Sequence, residues 1–317
     1  MESKTLVMRH INPAQLKVLG KLGEGGLADL FEALDGQGNQ VLMRRFKPQH
    51  RFNLSLRRSF LDGIRVRRKL GAHRHIVQYL GEGGSFLQPY EVIEYIPGQD
   101  LKSLIFRKHN VVYEAPVAVL KQAAAGMIHA HFRGYLHLDI KPENYLVRFT
   151  DHQPEVKLTD FDLALPVDTR KAPDRFGGSL IYLSPEFLQR KEVSVATDFF
   201  AFGVLAYNLF THQMPFVGSV LNLLEHGPYI IPYPDSRDSL AYPPVRQFID
   251  RCLARHPQDR FADDLDLLKA IEVLEQGYRA CVAQRLAEAT VDKREVRPEG
   301  ASSSGSIRVR GAPKPPA

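Results

Sequence analysis

The sequence predicts an α+β fold of two lobes, a small antiparallel β lobe followed by a larger helical lobe. Residues 16–41 alternate apolar with polar and are punctuated by Gly23, Gly25, Gly26, Gly36 and Gly38, the signature of short strands joined by tight turns. Pro97-Gly98 then breaks the pattern. Beyond it, residues 115–133, 196–210, 245–253 and 263–286 have helical composition and periodicity. Strands gathered first and helices gathered second make an α+β arrangement, with Pro97-Gly98 as the hinge.

Taken in order, residues 1–15 read as an N-terminal extension, 16–96 as the small lobe, 97–290 as the large lobe and 291–317 as a basic tail. The first ten residues carry Glu2, Lys4 and Arg9 and no apolar core of signal-peptide length, so no export signal is expected. Within the small lobe a basic helical segment, about 54–70, is followed by strand-like runs at 76–80 and 90–95. Its cluster of Arg57, Arg58, Arg65, Arg67, Arg68 and Lys69 reads more simply as a solvated helix face than as a docking patch. From about Lys293 onward Gly, Ser, Pro and Arg dominate, and such a composition cannot bury enough apolar surface to offset ordering. The tail is therefore expected to be disordered and dispensable for folding.

Composition narrows the function classes. Of the 317 residues 44% are hydrophobic and 25% charged, as in a soluble globular protein. The longest apolar stretch, 199–210, is broken by Gly203 and Asn208 and falls short of the roughly 20 residues a membrane span needs, so no membrane association is expected. Cys252 and Cys281 are the only cysteines, which excludes a disulfide framework and makes a reducing, cytoplasmic setting the default. A net charge of +6, partly in the tail, is weak support for an anionic partner, and nucleic acid is not expected.

The chemistry gathers in two segments. His137-Leu138-Asp139-Ile140-Lys141-Pro142-Glu143-Asn144 sets an acid, a base and an amide at short fixed spacing between apolar runs, which reads as a rigid catalytic loop. About twenty residues on, a strand-like run, 156–159, ends in Asp160-Phe161-Asp162. Two acids and an amide converging in this way suit Mg²⁺, which takes a few oxygen ligands together with substrate phosphates.

These two segments resemble the catalytic-loop and metal-loop signatures of the protein kinase superfamily in order and spacing. The resemblance continues through Gly178-Ser179 to Tyr182-Leu183-Ser184-Pro185-Glu186, which is similar to the family's Ala-Pro-Glu boundary. Further on, Asp198, Gly203 and Arg260 match positions that brace the helical lobe. It covers roughly residues 16–274. It implies that Asp139 accepts or orients the substrate hydroxyl proton, that Lys141 stabilises the transferring γ-phosphoryl group, and that Asn144 and Asp160 hold Mg²⁺. Lys141, two places after Asp139, resembles the Ser/Thr-directed branch. His137 reads as a packing residue.

The segment 22–30 resembles the family's glycine-rich loop, with Gly23 and Gly25 over the nucleotide, Ala28 in place of the third glycine and Leu30 in place of valine. A dinucleotide-binding reading needs a helix after the glycines, whereas 30–41 looks like strand and turn. Glu94-Tyr95-Ile96 resembles the hinge that binds adenine, with Ile93 guarding the deeper pocket. Leu42 would lie over the ring and Leu146 under it. The implied cofactors are ATP and Mg²⁺, and the implied partner is a protein substrate or binding partner.

Several positions depart from the pattern. Arg44 stands where the family carries the lysine that holds the α- and β-phosphates, and a forked guanidinium does not replace a compact ammonium. The helix acid that normally pairs with that lysine is missing. Between residues 52 and 75 the only acid is Asp62, beside Gly63, and an Asp62–Arg44 pair is one expectation. Leu138 replaces an arginine that answers phosphorylated activation loops, so control by that route is not expected. Asp162 replaces a glycine, removing backbone freedom. Three functions follow: an ATP-dependent Ser/Thr protein kinase, a pseudokinase acting as a binding or scaffold module, and a small-molecule kinase on a related fold. The last is disfavoured by the 182–186 segment.

Overall fold

The computed structural model describes residues 11–150, 153–173, 180–216, 231, 233 and 242–295. Two compact units divide the chain, Met1–Tyr278 and Arg279–Ala317. The first is the α+β, two-lobed arrangement that the sequence predicts.

Five strands form its antiparallel sheet: β1 (Lys17–Glu24), β2 (Ala28–Leu34), β3 (Gln40–Phe46), β4 (Tyr79–Gly84) and β5 (Pro89–Glu94), in the order β1-β2-β3-β5-β4. Helix α1 (Leu54–Leu70) runs between β3 and β4. Asn53 caps it by accepting from the Leu56 N–H at 3.1 Å. Phe60 and Ile64, one turn apart, bury against Ala28, Phe46 and Tyr79. This contact sets α1 on the sheet. Of the basic run, Arg58, Arg65, Arg68 and Lys69 are exposed as a solvated face requires, but Arg67 is only 1% exposed. The expected strand at 76–80 begins later, at Tyr79, because Ile76 is bridged in parallel to Leu158 instead.

After Pro97 come β6 (Gly98–Asp100), α2 (Leu101–Phe106), α3 (Asn110–Glu114), α4 (Pro116–Phe132), β7 (Tyr135–Leu136), β8 (Tyr145–Thr150), β9 (Gln153–Leu158) and β10 (Leu165–Pro166). Helices α5 (Pro185–Arg190), α6 (Val195–Thr211), α7 (Pro243–Cys252) and α8 (Asp264–Glu295) follow. Strands β6, β8 and β9 form a small sheet, and β7 pairs with β10. Helix α6 is apolar and buried on nearly every side, as a central helix should be. Ser194 caps its start, accepting from the Ala196 N–H at 3.2 Å, while the Thr197 hydroxyl accepts from the Ser194 N–H at 3.1 Å. A Cβ on Gly203 would lie 2.5 Å from Cys252 Cβ, so glycine is what lets α6 and α7 approach. The Val77 N–H donates to Leu158 O and the Leu158 N–H to His75 O, both at 2.9 Å. These bonds fasten the end of β9, and the Asp160 segment after it, to the chain entering β4.

Of the second unit, the described residues 279–295 continue α8. The helix thus runs through the first positions of the segment 291–317, and residues 296–317 lie outside the described residues, as do Gly178 and Ser179. Among the described residues no helix is long and apolar enough to cross a membrane.

Candidate active site

Strand register assembles one side of the site. Leu30 faces Arg44 across β2 and β3, while Arg44 faces Glu91 and Leu42 faces Ile93 across β3 and β5. Side chains alternate along a strand, so Leu30, Leu42, Arg44, Glu91 and Ile93 share one face of the sheet. On that face Val77, Ile93 and Ile96 form a buried apolar cluster, with Leu42 and Leu146 packed against it. Leu42 from β3, Ile96 from the segment after β5 and Leu146 from β8 are thereby brought together. At the turn end of the β1–β2 hairpin Gly23 pairs with Leu30, and the Gly25 N–H closes the turn on Ala28 O at 2.8 Å.

Glu94 ends β5 with its N–H on Gln78 O at 2.9 Å. Its carboxylate accepts from Lys157 Nζ at 2.9 Å and from Arg148 at 3.1 Å. The side chain therefore ties the end of β5 to β8 and β9.

The 137–144 loop is held from beneath by Asp198 of α6. That buried carboxylate accepts from the backbone N–H groups of His137 and Leu138, each at 2.7 Å, and meets His131 Nε2 at 2.9 Å. Leu138 takes a φ of +60°, a conformation rare for a branched side chain, and the Asp198 clasp holds it there. Its side chain packs with Leu136, Ala172, Phe187 and Val193, so the position that carries arginine in the resemblance is apolar core here. His137 is fully buried, edge-on to Phe161 at 4.8 Å, with Nε2 at 3.1 Å from Thr159 O. Burial pushes its pKa down, so a neutral packing ring is what the site holds.

On top of this base, Lys141 Nζ and Asn144 Nδ2 both donate to Asp139 Oδ2, at 2.6 and 2.8 Å, and Asn144 also donates to Asp139 O at 2.7 Å. Burial raises the Asp139 pKa against the opposing pull of Lys141 and Asn144. Thr159, next to Asp160, donates its N–H to Asn144 O at 2.9 Å, which brings the second segment against the first. Asp160 has a φ of +64°, and its Oδ1 is buried with no hydrogen-bond partner. With both amide hydrogens of Asn144 directed at Asp139, its Oδ1 makes no hydrogen bond among the described residues. The Asp160 and Asn144 side-chain oxygens, neither hydrogen-bonded among the described residues and carried on segments joined by the Thr159–Asn144 bond, are hard donors of the kind that fits Mg²⁺. No group of three or more His, Cys, Asp or Glu with metal-binding placement occurs among the described residues.

The surroundings of Arg44 correct one expectation. Asp62 does not reach it, because that residue lies on the outward side of α1 with Arg58 and Arg65. Arg44 instead pairs through Nη1 with Glu91 and through Nη2 with Asp162 at 2.7 Å, with Asp160 at 3.5 Å. Glu91 is wholly buried and its other oxygen holds Arg67. Arg67 stands over the Phe161 ring at 5.7 Å, so a continuous column runs from His137 through Phe161, Arg67 and Glu91 to Arg44. Burial works against the Arg44 charge, but Asp162, Glu91 and Asp160 outweigh it and hold its pKa well above the usual value. Burial would lift the Asp160 pKa, but Arg44 and Arg67 overcome it and hold that pKa below the usual range. Burial pushes the Asp162 pKa up and the Asp160 charge adds to it, against the pull of Arg44. Asp162 takes no positive φ, so its replacement of glycine strains nothing. Sequence reasoning missed Glu91, Arg67 and the pairing role of Asp162. The available signal was Glu91 itself, an acid two residues before Ile93 on the core-facing side of a strand.

A family model of the protein kinase domain matches residues 16–278. The chain belongs to the protein kinase domain family. It is 27% identical over 268 residues to the serine/threonine-protein kinase drp72 of Corynebacterium efficiens, covering 81% of this chain and 50% of that one. Against the serine/threonine-protein kinase PknL of Mycobacterium tuberculosis it is 28% identical over 283 residues, covering 86% and 67%. The tyrosine-protein kinase MasK of Myxococcus xanthus is 31% identical over 267 residues, covering 76% and 40%. The chain thus spans about half the length of drp72 and two fifths of MasK.

Proposed function

We propose that this chain transfers the γ-phosphoryl group of ATP to Ser or Thr hydroxyls of protein substrates, with Mg²⁺. The observation that carries the reading is the convergence of Lys141 and Asn144 on one oxygen of Asp139, at 2.6 and 2.8 Å. Asp139 would orient the substrate hydroxyl and take its proton as the oxygen bonds to phosphorus and the bond to the departing ADP oxygen breaks. A carboxylate whose pKa burial has raised is a better proton acceptor, and Lys141 keeps it anionic until then. Lys141 would pass between Asp139 and the transferring group. Asn144 and Asp160 would hold Mg²⁺, which supplies charge neutralisation on the phosphates.

Arg44, set on the same sheet face as Leu30 and Leu42, would reach the phosphates, while Leu42, Ile96 and Leu146 clasp adenine and the backbone of Glu94 bonds its edge. Gly23 and Gly25 would let the hairpin lie close over the phosphates. The nucleotide would sit between a small lobe, 16–96, and a large lobe, 97–290. Ser/Thr preference is favoured by Lys141 and by the names of drp72 and PknL. A cytoplasmic setting is favoured by two free cysteines, one of them buried.

The test is transfer of labelled γ-phosphate from ATP to a mixed basic protein substrate with Mg²⁺, followed by phosphoamino-acid analysis. Label on Ser or Thr that disappears in Asp139→Asn is the expected result. Label on Tyr would move the substrate class toward that in the name of MasK. No transfer beyond the Asp139→Asn background would overturn the catalytic reading.

A further inference from the structure

Two departures from the family pattern meet in space. Gly63 of α1 stands at the register where the resemblance places an acid, and Asp162 stands where it places a glycine. A Cβ built on Gly63 would lie 2.5 Å from Asp162 Oδ1 and 3.0 Å from Asp162 Cα, so no side chain fits there while Asp162 holds its place. Asp162 uses that space to reach Arg44, with Oδ2 accepting from Nη2 at 2.7 Å and Oδ1 from Nη1 at 3.3 Å. Ser59, one turn before Gly63, donates its hydroxyl to Asp162 O at 2.6 Å and fixes the loop backbone against the helix.

We propose that Asp162 is the positioning residue for Arg44, and that Gly63 is the gap in α1 that admits it. The carboxylate facing the strand cation is delivered by the loop after β9 rather than by the helix. Asp160 and Asp162 lie two residues apart, so the metal-ligand candidate and the support of the phosphate-binding cation are set by one short stretch of backbone. Helix α1 takes part through Ser59 and through Arg67 on Glu91, and it supplies no acid to Arg44. The kinetic consequence rests on the phosphoryl-transfer reading above, whereas the pairing does not.

Two experiments separate these. In nucleotide-free protein, thermal unfolding of Arg44→Met, Asp162→Asn and the double variant gives a coupling independent of activity. The expected result is a double variant whose melting shift is clearly smaller than the two single shifts added. Additive shifts would overturn the pairing, and this arm decides it even if the wild-type chain transfers no phosphate. In the transfer assay, Asp162→Gly should raise the KM for ATP by roughly tenfold or more, because Arg44 loses the charge-assisted bonds that aim it. Gly63→Glu alone should be impaired by collision with Asp162. Gly63→Glu combined with Asp162→Gly returns the acid to the helix and should recover most of the lost kcat/KM. A folded double variant no better than Asp162→Gly would overturn the positioning role.

Discussion

Asp198 and His131 meet at 2.9 Å inside the helical lobe, and His131 reaches Asp264 at 2.7 Å through its other nitrogen. The same Asp198 carboxylate accepts from two backbone N–H groups just before Asp139. The start of α8, the end of α4 and the start of α6 are thereby joined to the loop that carries Asp139. A buried acid with this many donors stays ionised. Burial alone would raise its pKa, but the bonds from His131 and the loop lower it.

That arrangement predicts a loss of stability at alkaline pH. Burial opposes the charge on His131, yet the bonds to Asp198 and Asp264 outweigh it and push the pKa up to about 9. A folded value above the unfolded one, about 6.5, means a contribution fully present below pH 6.5 and lost as pH rises through about 9. Its size is roughly 3 kcal/mol. Denaturant midpoints between pH 6 and 10 should fall more steeply for wild type than for His131→Gln, and equal slopes would remove the ion pair from the account.

A second prediction concerns the fork between Arg260 and Glu186, whose two bonds are both 2.8 Å. Arg260 also donates to Ala254 O at 2.9 Å and Ala196 O at 2.8 Å, so it links the segment after α7 to the starts of α5 and α6. Removing one partner leaves an uncompensated buried charge. Arg260→Ala should therefore lower unfolding free energy by about 3 to 5 kcal/mol. An unchanged midpoint in chemical denaturation would count against it.

Much of this was legible in the sequence because it is local or periodic. The glycine-punctuated alternation of 16–41 gives two strands and the start of a third, and the 137–144 and 160–162 segments carry their spacing in the chain itself. The Glu186–Arg260 pair could be inferred only by resemblance, being 74 residues apart. The partners of Arg44 were not legible. Asp162 is 118 residues away, and its carboxylate meets Arg44 only because Gly63 leaves room, a three-body relation that no periodicity encodes. Arg67 misled for a related reason: a basic run reads as solvated unless one knows that Glu91 is waiting on a strand behind it.

The third prediction tests Asp160 as a candidate metal ligand. Among the described residues Asp160 Oδ1 makes no hydrogen bond and has only the Arg44 guanidinium at 3.5 Å, so a cation held there meets an oxygen that keeps its lone pairs. In calorimetry with excess Mg²⁺, Asp160→Ala should weaken ATP binding by about tenfold or more and abolish the difference between titrations with and without Mg²⁺. Equal affinity in wild type and variant would show that the nucleotide is held without this carboxylate.

The last prediction reverses what Arg44 suggests in isolation. With the family's lysine in mind, Arg44→Lys reads as a return to a working anchor, expected to preserve or raise activity. The geometry argues otherwise. Two nitrogens of one planar fork serve two acids on different elements, Nη1 on Glu91 of β5 and Nη2 on Asp162 of the loop. A single ammonium cannot occupy both places, and a lysine settled against Glu91 leaves Asp162 buried without its cation. A carboxylate already pushed toward protonation by burial and by Asp160 would then lose its main counter-charge. An underbonded buried polar group costs about 1 to 3 kcal/mol, and one that stays charged costs more. Arg44→Lys should therefore lower the melting temperature and raise the KM for ATP, and it should be rescued only when Gly63→Glu and Asp162→Gly return the acid to α1. Undiminished activity and stability in Arg44→Lys alone would mean that the fork is not what the two carboxylates require.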